Sequence, residues 1–259
     1  MISFEPQNIG RAFFKNIFFL INIYKFFLFA VKSILDLRKF PVRFVFYKQI
    51  YFTGMEALNS VALIGILIGL VFITQIHNTL GFGSEATTVK ILIWIIVREL
   101  GPLLAAMVIL TRSGSAIATE LGAMMVEGEI KSLEILGINP MAYLIMPRIV
   151  GVTAAVIILT FYFELFTILG GLGIASLWWD LPLIPHIKTF LATITLFETG
   201  VSALKSLFFG IIISTISCYQ GLNVGHTITQ IPQAAAKAVM QSLFLVFIFD
   251  GIITLMAFL

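Results

Sequence analysis

The twenty residues from Ala57 to Ile76 carry no charge and are apolar almost throughout. This run constrains the chain more than any other feature, because roughly 20 such residues are what a helix needs to cross about 30 Å of hydrocarbon. Four further apolar stretches follow: Lys90 to Val126, Met141 to Trp179, Val201 to Tyr219 and Val239 to Leu259. Charged residues make up 11% of the 259-residue chain, against about 25% in a soluble domain, so a water-soluble fold would have too little polar surface to cover itself. The sequence therefore predicts an all-α integral membrane protein with five transmembrane helices.

The region before Ala57 is different. On a helical projection Arg11, Lys15, Asn22, Lys25, Lys32 and Asp36 fall within a sector of roughly 100°, with Phe, Leu and Ile filling the rest. A lysine at mid-bilayer costs about 3 kcal/mol, so this pattern suits an amphipathic helix lying in the headgroup plane better than a sixth span. Basic residues continue to Lys48 without a small-residue cleavage site, which predicts that the N-terminus is retained rather than removed as a signal peptide.

Gly65 and Gly69 have the GxxxG spacing that lets another helix approach closely. Lys90 to Val126 would be about 55 Å long as one helix, so a bend is expected, with Gly101-Pro102 the natural place. Between Glu127 and Pro140 the chain is polar: Glu127, Lys131 and Glu134 share one helical face, and Ile130, Leu133 and Gly137 another. This predicts a short amphipathic helix ending near Gly137. Asp180 to Thr199 reads as an external segment with Trp178 and Trp179 at the interface, and Gln220 to Lys237 as a polar loop. Eight of the sixteen Lys and Arg residues lie in the first 48 positions, so the N-terminus is expected in the cytoplasm, with the C-terminus outside and the Glu127 to Pro140 helix inside.

Several chemistries lack their motifs. No G-x-x-x-x-G-K-[ST] occurs, so a phosphate-cradling loop for ATP would have to come from another chain. His77, His186 and His226 are isolated in sequence, which predicts no metal site. No G-x-S-x-G is present, Ser113-Gly114-Ser115 reads as close packing, and the single cysteine, Cys218, reads as packing too. What remains is a set of ionisable residues at membrane depth: Arg98, Glu99, Arg112, Glu120, Glu164, Lys205 and Asp250. Charges there are costly and are usually paired, cavity-facing or functional. Arg98 and Glu99 at about 15 Å from the outer end, and Lys205 at about 8 Å, are near enough in depth to meet. Such a cluster is either an ion-pair network fixing helix register or a polar floor in a lipid cavity. Structural pairing is the expectation for Arg112 and Glu120, and a helix-helix contact for Asp250.

The stretch from Arg98-Glu99-Leu100-Gly101-Pro102-Leu103 through Thr111 to Gly122 resembles the signature of the MlaE/YrbE permease family. The resemblance continues through Glu129-Ile130, Leu133 to Pro140 and Pro147-Arg148, and includes Lys205-Ser206 and Phe249-Asp250. It covers most of the chain from about Gly54; the Gly221 to Ala236 loop departs from the family pattern. The resemblance implies an ABC transporter permease for phospholipids, moving them between the inner and outer membranes of a bacterium and maintaining outer-membrane lipid asymmetry. It implies residues 1–50 as an interfacial or elbow helix region and 51–259 as the permease domain, with a coupling helix at about 127–139. Implied partners are a second copy of the chain, a cytoplasmic ATPase dimer that binds ATP and magnesium, and a periplasmic MCE-domain protein; no nucleic acid is implied. By position, the family's lipid pocket maps onto Val71, Asn78, Thr79 and Phe82, and its polar cluster onto Arg98, Glu99 and Lys205. ATPase coupling maps onto Glu129, Ile130, Leu133 and Glu134. Two other classes stay open on residues alone: a lipid-modifying membrane enzyme using Arg98, Glu99 and Arg112, and a self-sufficient secondary carrier with Glu99 or Asp250 as proton site.

Overall fold

A computed structural model describes residues 6–34, 40–80, 90–179, 183–225 and 227–258; for 6–17, 40, 77–80, 179, 183 and 258 it describes the backbone alone. Every regular element among the described residues is helical. We label them α1 (Pro6–Lys32), α2 (Phe40–Thr53), α3 (Leu58–Leu80), α4 (Lys90–Val126), α5 (Glu129–Ile135), α6 (Met146–Trp179), α7 (Leu183–Thr193), α8 (Leu196–Leu222) and α9 (Ile231–Phe258). Five helical stretches, Pro41–Ile76, Lys90–Val126, Met141–Trp178, Leu196–Leu222 and Ile228–Ala257, are long and apolar enough to cross a membrane.

The spans alternate in direction, which gives the bundle an α7 end and an α5 end. At the α7 end Ile73 and Ile76 of α3, Leu92 and Ile96 of α4, and Ile168 and Leu172 of α6 form one apolar cluster, on which Ile187 and Phe190 of α7 pack. At the α5 end Val224, Ile231 and Ala234 pack with Ala123 and Val126. The main core between them draws on α3, α4, α6, α8 and α9.

Small residues set the helix spacings. A Cβ on Gly69 would lie 2.0 Å from the Thr167 carbonyl oxygen, and one on Gly171 would lie 2.7 Å from the Gly69 carbonyl carbon. The GxxxG pair thus packs α3 against α6 backbone to backbone. Gly210 does the same for α8 against α6, where an added Cβ would meet the Thr153 Cα at 2.6 Å.

Just before Gly101-Pro102, where the sequence predicts a bend, α4 is π-wound over Ile93–Leu100, with the Gly101 N–H donating to the Ile96 carbonyl. Proline lacks an N–H and its ring crowds the carbonyl four residues back; the wider turn relieves that crowding, so α4 runs on to Val126. A second π turn covers Leu110–Gly114. The helix α5 starts after Gly128 (φ 77°) and ends in a Schellman motif, in which Ile138 N–H reaches the Leu133 carbonyl at 2.9 Å and Gly137 N–H the Glu134 carbonyl at 3.0 Å. Gly137 supplies the required positive φ of 75°.

Two boundaries differ from the sequence expectation. The helix α8 begins at Leu196, not Val201, because the Thr195 hydroxyl caps it by accepting from the Glu198 N–H at 3.3 Å. The helix α9 begins at Ile231, not Val239, since Pro232 is tolerated in a first helical turn. The polar loop is correspondingly shorter than Gln220 to Lys237. The helix α1 lies against the α5 end of α8: Phe19 and Phe26 meet the Tyr219 ring edge-on at 5.9 and 5.7 Å, and Ala30 is fully buried. Lys25 and Lys32 of its polar stripe are exposed, while the side chains of Arg11, Lys15 and Asp36 lie outside the described residues.

Candidate functional site

Three transmembrane helices each bring one ionisable residue to the same level. Lys205 is nine residues into α8 and Glu99 nine residues into α4, about 14 Å along a helix in each case, and Asp250 is eight residues before the end of α9, about 12 Å. The early start of α8 therefore places Lys205 deeper than the sequence suggested, level with Glu99.

Lys205 is fully buried, and its ammonium is surrounded by oxygens. Nζ donates to Glu99 Oε2 at 2.6 Å and to Thr254 Oγ1 at 2.7 Å, and forms an ion pair with Asp250 Oδ1 at 2.9 Å. An ammonium has three hydrogens, and three oxygens surround this one. The Thr254 hydroxyl in turn donates to Glu99 at 3.1 Å. Arg98 joins at longer range, with Nε 4.0 Å from Glu99 Oε1, Nη1 3.9 Å from Glu198 Oε2, and its guanidinium 6.0 Å from the Phe197 ring centre. Three carboxylates thus face two cations. Lys205 is sealed while the Glu99 side chain is 32% exposed, so the cluster has a closed cationic centre and a carboxylate rim open to whatever lies beside the helix. Such an arrangement can present hydrogen-bonding oxygens and a partly exposed negative charge at membrane depth.

Glu164 is held apart from this centre. Its Oε1 accepts from Ser202 Oγ at 2.5 Å, and its side chain fills the space that a Cβ on Gly101 would need, 2.8 Å away. One turn on, Ser206 Oγ donates to Thr160 Oγ1 at 3.0 Å, so α6 and α8 share a short polar ladder in an apolar interface.

Arg112 and Glu120 are both paired, but not with each other. Arg112 reaches Glu56 in the turn before α3, and Glu120 reaches Arg148 Nη2 at 2.8 Å. These pairs tie α4 to its neighbours in the α5 half of the molecule.

Of the residues expected to line a substrate pocket, Arg98, Glu99 and Lys205 come together as described. Val71 is 61% exposed on the outer face of α3 and does not join them. The side chains of Asn78 and Thr79, and the whole of Phe82, lie outside the described residues, as do the side chains of His77 and His226. In α5, Glu129 and Glu134 are exposed, whereas Ile130 is buried in the main core and Leu133 packs against it. The apolar face drawn from periodicity therefore meets the chain's own body. The most outward apolar residues here are Ile135, 78% exposed, and Leu136 at the C-cap of α5, 73% exposed. Sequence reasoning missed Thr254, Glu198 and Glu56. Glu198 was signalled by Thr195-x-x-Glu198, a helix-start pattern; Thr254 carried no signal until α9 was placed beside α8.

Residues 46–256 match the family model for the permease MlaE. A probable ABC transporter permease protein of Rickettsia bellii is 27% identical over 90% of this chain and 91% of its own length. One from Synechocystis is 30% identical, covering 78% of this chain and 77% of its own. The intermembrane phospholipid transport system permease protein MlaE of Haemophilus influenzae is 25% identical over 82% of each.

Proposed function

This chain belongs to the MlaE permease family, and on that premise we propose that it is the permease subunit of an ABC transporter that moves phospholipids between two membranes. The observation that carries the reading is the match of residues 46–256 to the MlaE permease model, supported by relatives named as permeases that align over 91% and 82% of their own lengths. The five apolar spans supply the membrane path. The sequence contains no G-x-x-x-x-G-K-[ST], which supports a separate ATPase subunit as the holder of ATP and magnesium. We place the protein in a bacterial inner membrane as a homodimer, with the α5 end cytoplasmic, the α7 end and the C-terminus periplasmic, and an MCE-domain protein on the periplasmic side. Its contribution would be to outer-membrane lipid asymmetry. We assign the polar part of the lipid path to Arg98, Glu99, Lys205 and Asp250, and its outer wall to Val71, Asn78, Thr79 and Phe82. Residues 1–50 act as an interfacial helix region and 51–259 as the permease domain.

Purification in mild detergent from the native host tests the class. An ATPase chain is expected in a one-to-one ratio with the permease, with ATP hydrolysis that rises on adding phospholipid. A chain recovered alone that still moves or modifies lipid would sink the reading.

We assign the ATPase contact to α5 through Glu129, Glu134, Ile135 and Leu136. Ile130 and Leu133 stiffen it by anchoring it to the bundle. Replacing Leu136 by Asp is expected to cut lipid-stimulated ATP hydrolysis at least about tenfold, as loss of an apolar anchor at an interface commonly does. Insertion and melting temperature should hold, because Leu136 contributes little to the permease core. Unchanged hydrolysis would move the contact elsewhere.

The orientation has its own test. Cys218 is fully buried, so single cysteines at positions 11, 15 and 25 can be labelled in its presence. All three are expected to react from the cytoplasmic side. Reaction of position 11 from outside alone would make α1 a crossing helix.

A further inference from the structure

In the α5 half of the molecule α2, α4 and the start of α6 enclose a cleft of about 610 Å³, within the usual size range for small-ligand sites. It is separate from the Lys205 cluster, which lies toward the other end. Along α2, Phe44, Lys48 and Phe52 recur every fourth residue and face the cleft together. Lys48 is exposed and has no ion-pair partner among the described residues. At the far side Arg148 is 4% exposed. Its Nη2 is engaged with Glu120 at 2.8 Å, while Nη1 is buried without a hydrogen-bond acceptor among the described groups. Arg112, bound to Glu56, lines the cleft as well.

The cleft therefore sets three cations against two carboxylates, with an unmatched lysine at its rim and, in its wall, Arg148, whose Nη1 is buried without an acceptor. A buried donor left without an acceptor is costly, so a site holding one is suited to a ligand that supplies an oxygen. Guanidinium groups favour phosphate oxygens in particular. The walls add a second requirement, since Phe44, Phe52 and Leu144 offer apolar surface that a free ion would leave bare. The level is right for a headgroup as well. Beside the cleft α2 exposes Tyr47 and Tyr51 next to Arg43 and Lys48, the mixture of aromatic and basic residues found where a protein crosses the lipid headgroup layer.

We propose that this cleft binds the phosphate-bearing headgroup of a phospholipid from the leaflet at the α5 end, with Lys48 and Arg148 as its cationic contacts and Phe44 and Phe52 against its glycerol and upper acyl chains. The assignment rests on the permease reading and gives that path a second lipid station, at the opposite end from the Lys205 cluster.

The whole transporter complex in phosphatidylglycerol nanodiscs, with a fraction of the lipid carrying a diazirine close to the glycerol, tests this by crosslinking and peptide mapping. Crosslinks are expected on residues 44–56 and 112–124. Lys48→Glu should lower their yield about tenfold, since it replaces an attractive charge by a repulsive one at the membrane surface, and Lys48→Arg should restore it. Lys48 is exposed, so neither variant removes a core contact. Crosslinks confined to other regions, or equal yields from wild type and Lys48→Glu, overturn the proposal. If no crosslink forms but inorganic phosphate raises the melting temperature of wild type and not of Lys48→Glu, the occupant is a free phosphate and the lipid assignment fails. Lipid transport is measured on the same preparation. Transport without cleft crosslinks defeats this inference and leaves the permease reading intact, whereas absence of lipid transport defeats the permease reading.

Discussion

Lys205→Met is expected to abolish lipid transport and to lower the melting temperature of the purified protein by roughly 10 °C, because removing one member of a buried ionic group costs about 3 to 5 kcal/mol. Methionine keeps the length and apolar stem of lysine but leaves Glu99 Oε2, Asp250 Oδ1 and the Thr254 hydroxyl, which now surround Nζ at 2.6, 2.9 and 2.7 Å, around a group that cannot donate. Two carboxylates then share a partly buried site without their central cation. The triple variant Lys205→Met with Glu99→Gln and Asp250→Asn removes both negative charges and should recover most of the lost stability, since neutralising all members together avoids an unpaired buried charge. Transport divides the two roles that the cluster can have. If it only fixes helix register, the triple variant regains transport with its stability. If the exposed edge of Glu99 is part of the lipid path, the triple variant is stable and still inactive. A single Lys205→Met variant that melts and transports like wild type would show that neither role applies.

Much of this centre was legible because of a general cost: charged residues at membrane depth need partners, and Arg98, Glu99 and Lys205 were the charges of opposite sign nearest one level. Their register was harder to read. Hydropathy starts α8 at Val201, where the uncharged run begins, but the helix itself starts at the Thr195 cap; the added residues carry Lys205 to the depth of Glu99. Asp250 and Thr254 joined the cluster only because α9 packs beside α8 along its length, a tertiary fact with no local signal. The same holds for Arg112 and Glu120. Sequence shows that each needs a partner, while the choice of Glu56 and Arg148 depends on which helices are neighbours. In α5 the end was readable from Gly137 and Pro140, and periodicity correctly separated two faces. Periodicity does not say what each face meets, and here Ile130 and Leu133 meet the bundle. The GxxxG spacing in α3 marked a close helix contact, and the structure supplies the partner, α6.

That contact carries the second large effect. A Cβ at position 69 would lie 2.0 Å from the Thr167 carbonyl oxygen, 2.9 Å from its carbon and 3.2 Å from the Gly171 Cα. All three are backbone atoms of α6, so no side chain can rotate away, and valine at 69 must push the two helices apart. Overpacking typically costs about 1 to 3 kcal/mol where side chains can adjust; with backbone on both sides Gly69→Val is expected to reach or exceed the top of that range. Separation of α3 is favoured further because its opposite face, with Leu63, Leu67 and Val71, is exposed among the described residues. The expected result is a severalfold fall in folded yield and a melting temperature lower by roughly 5 to 10 °C. Gly173→Ala is the control on the other side of the contact: it lies in α6, two residues beyond Gly171, and nothing lies within 4 Å of an added Cβ there. Alanine in a helix interior is favoured over glycine by about 1 kcal/mol, so this variant should be as stable as wild type or slightly more so. Equal behaviour of the two variants would mean that α3 is not seated on α6 through Gly69.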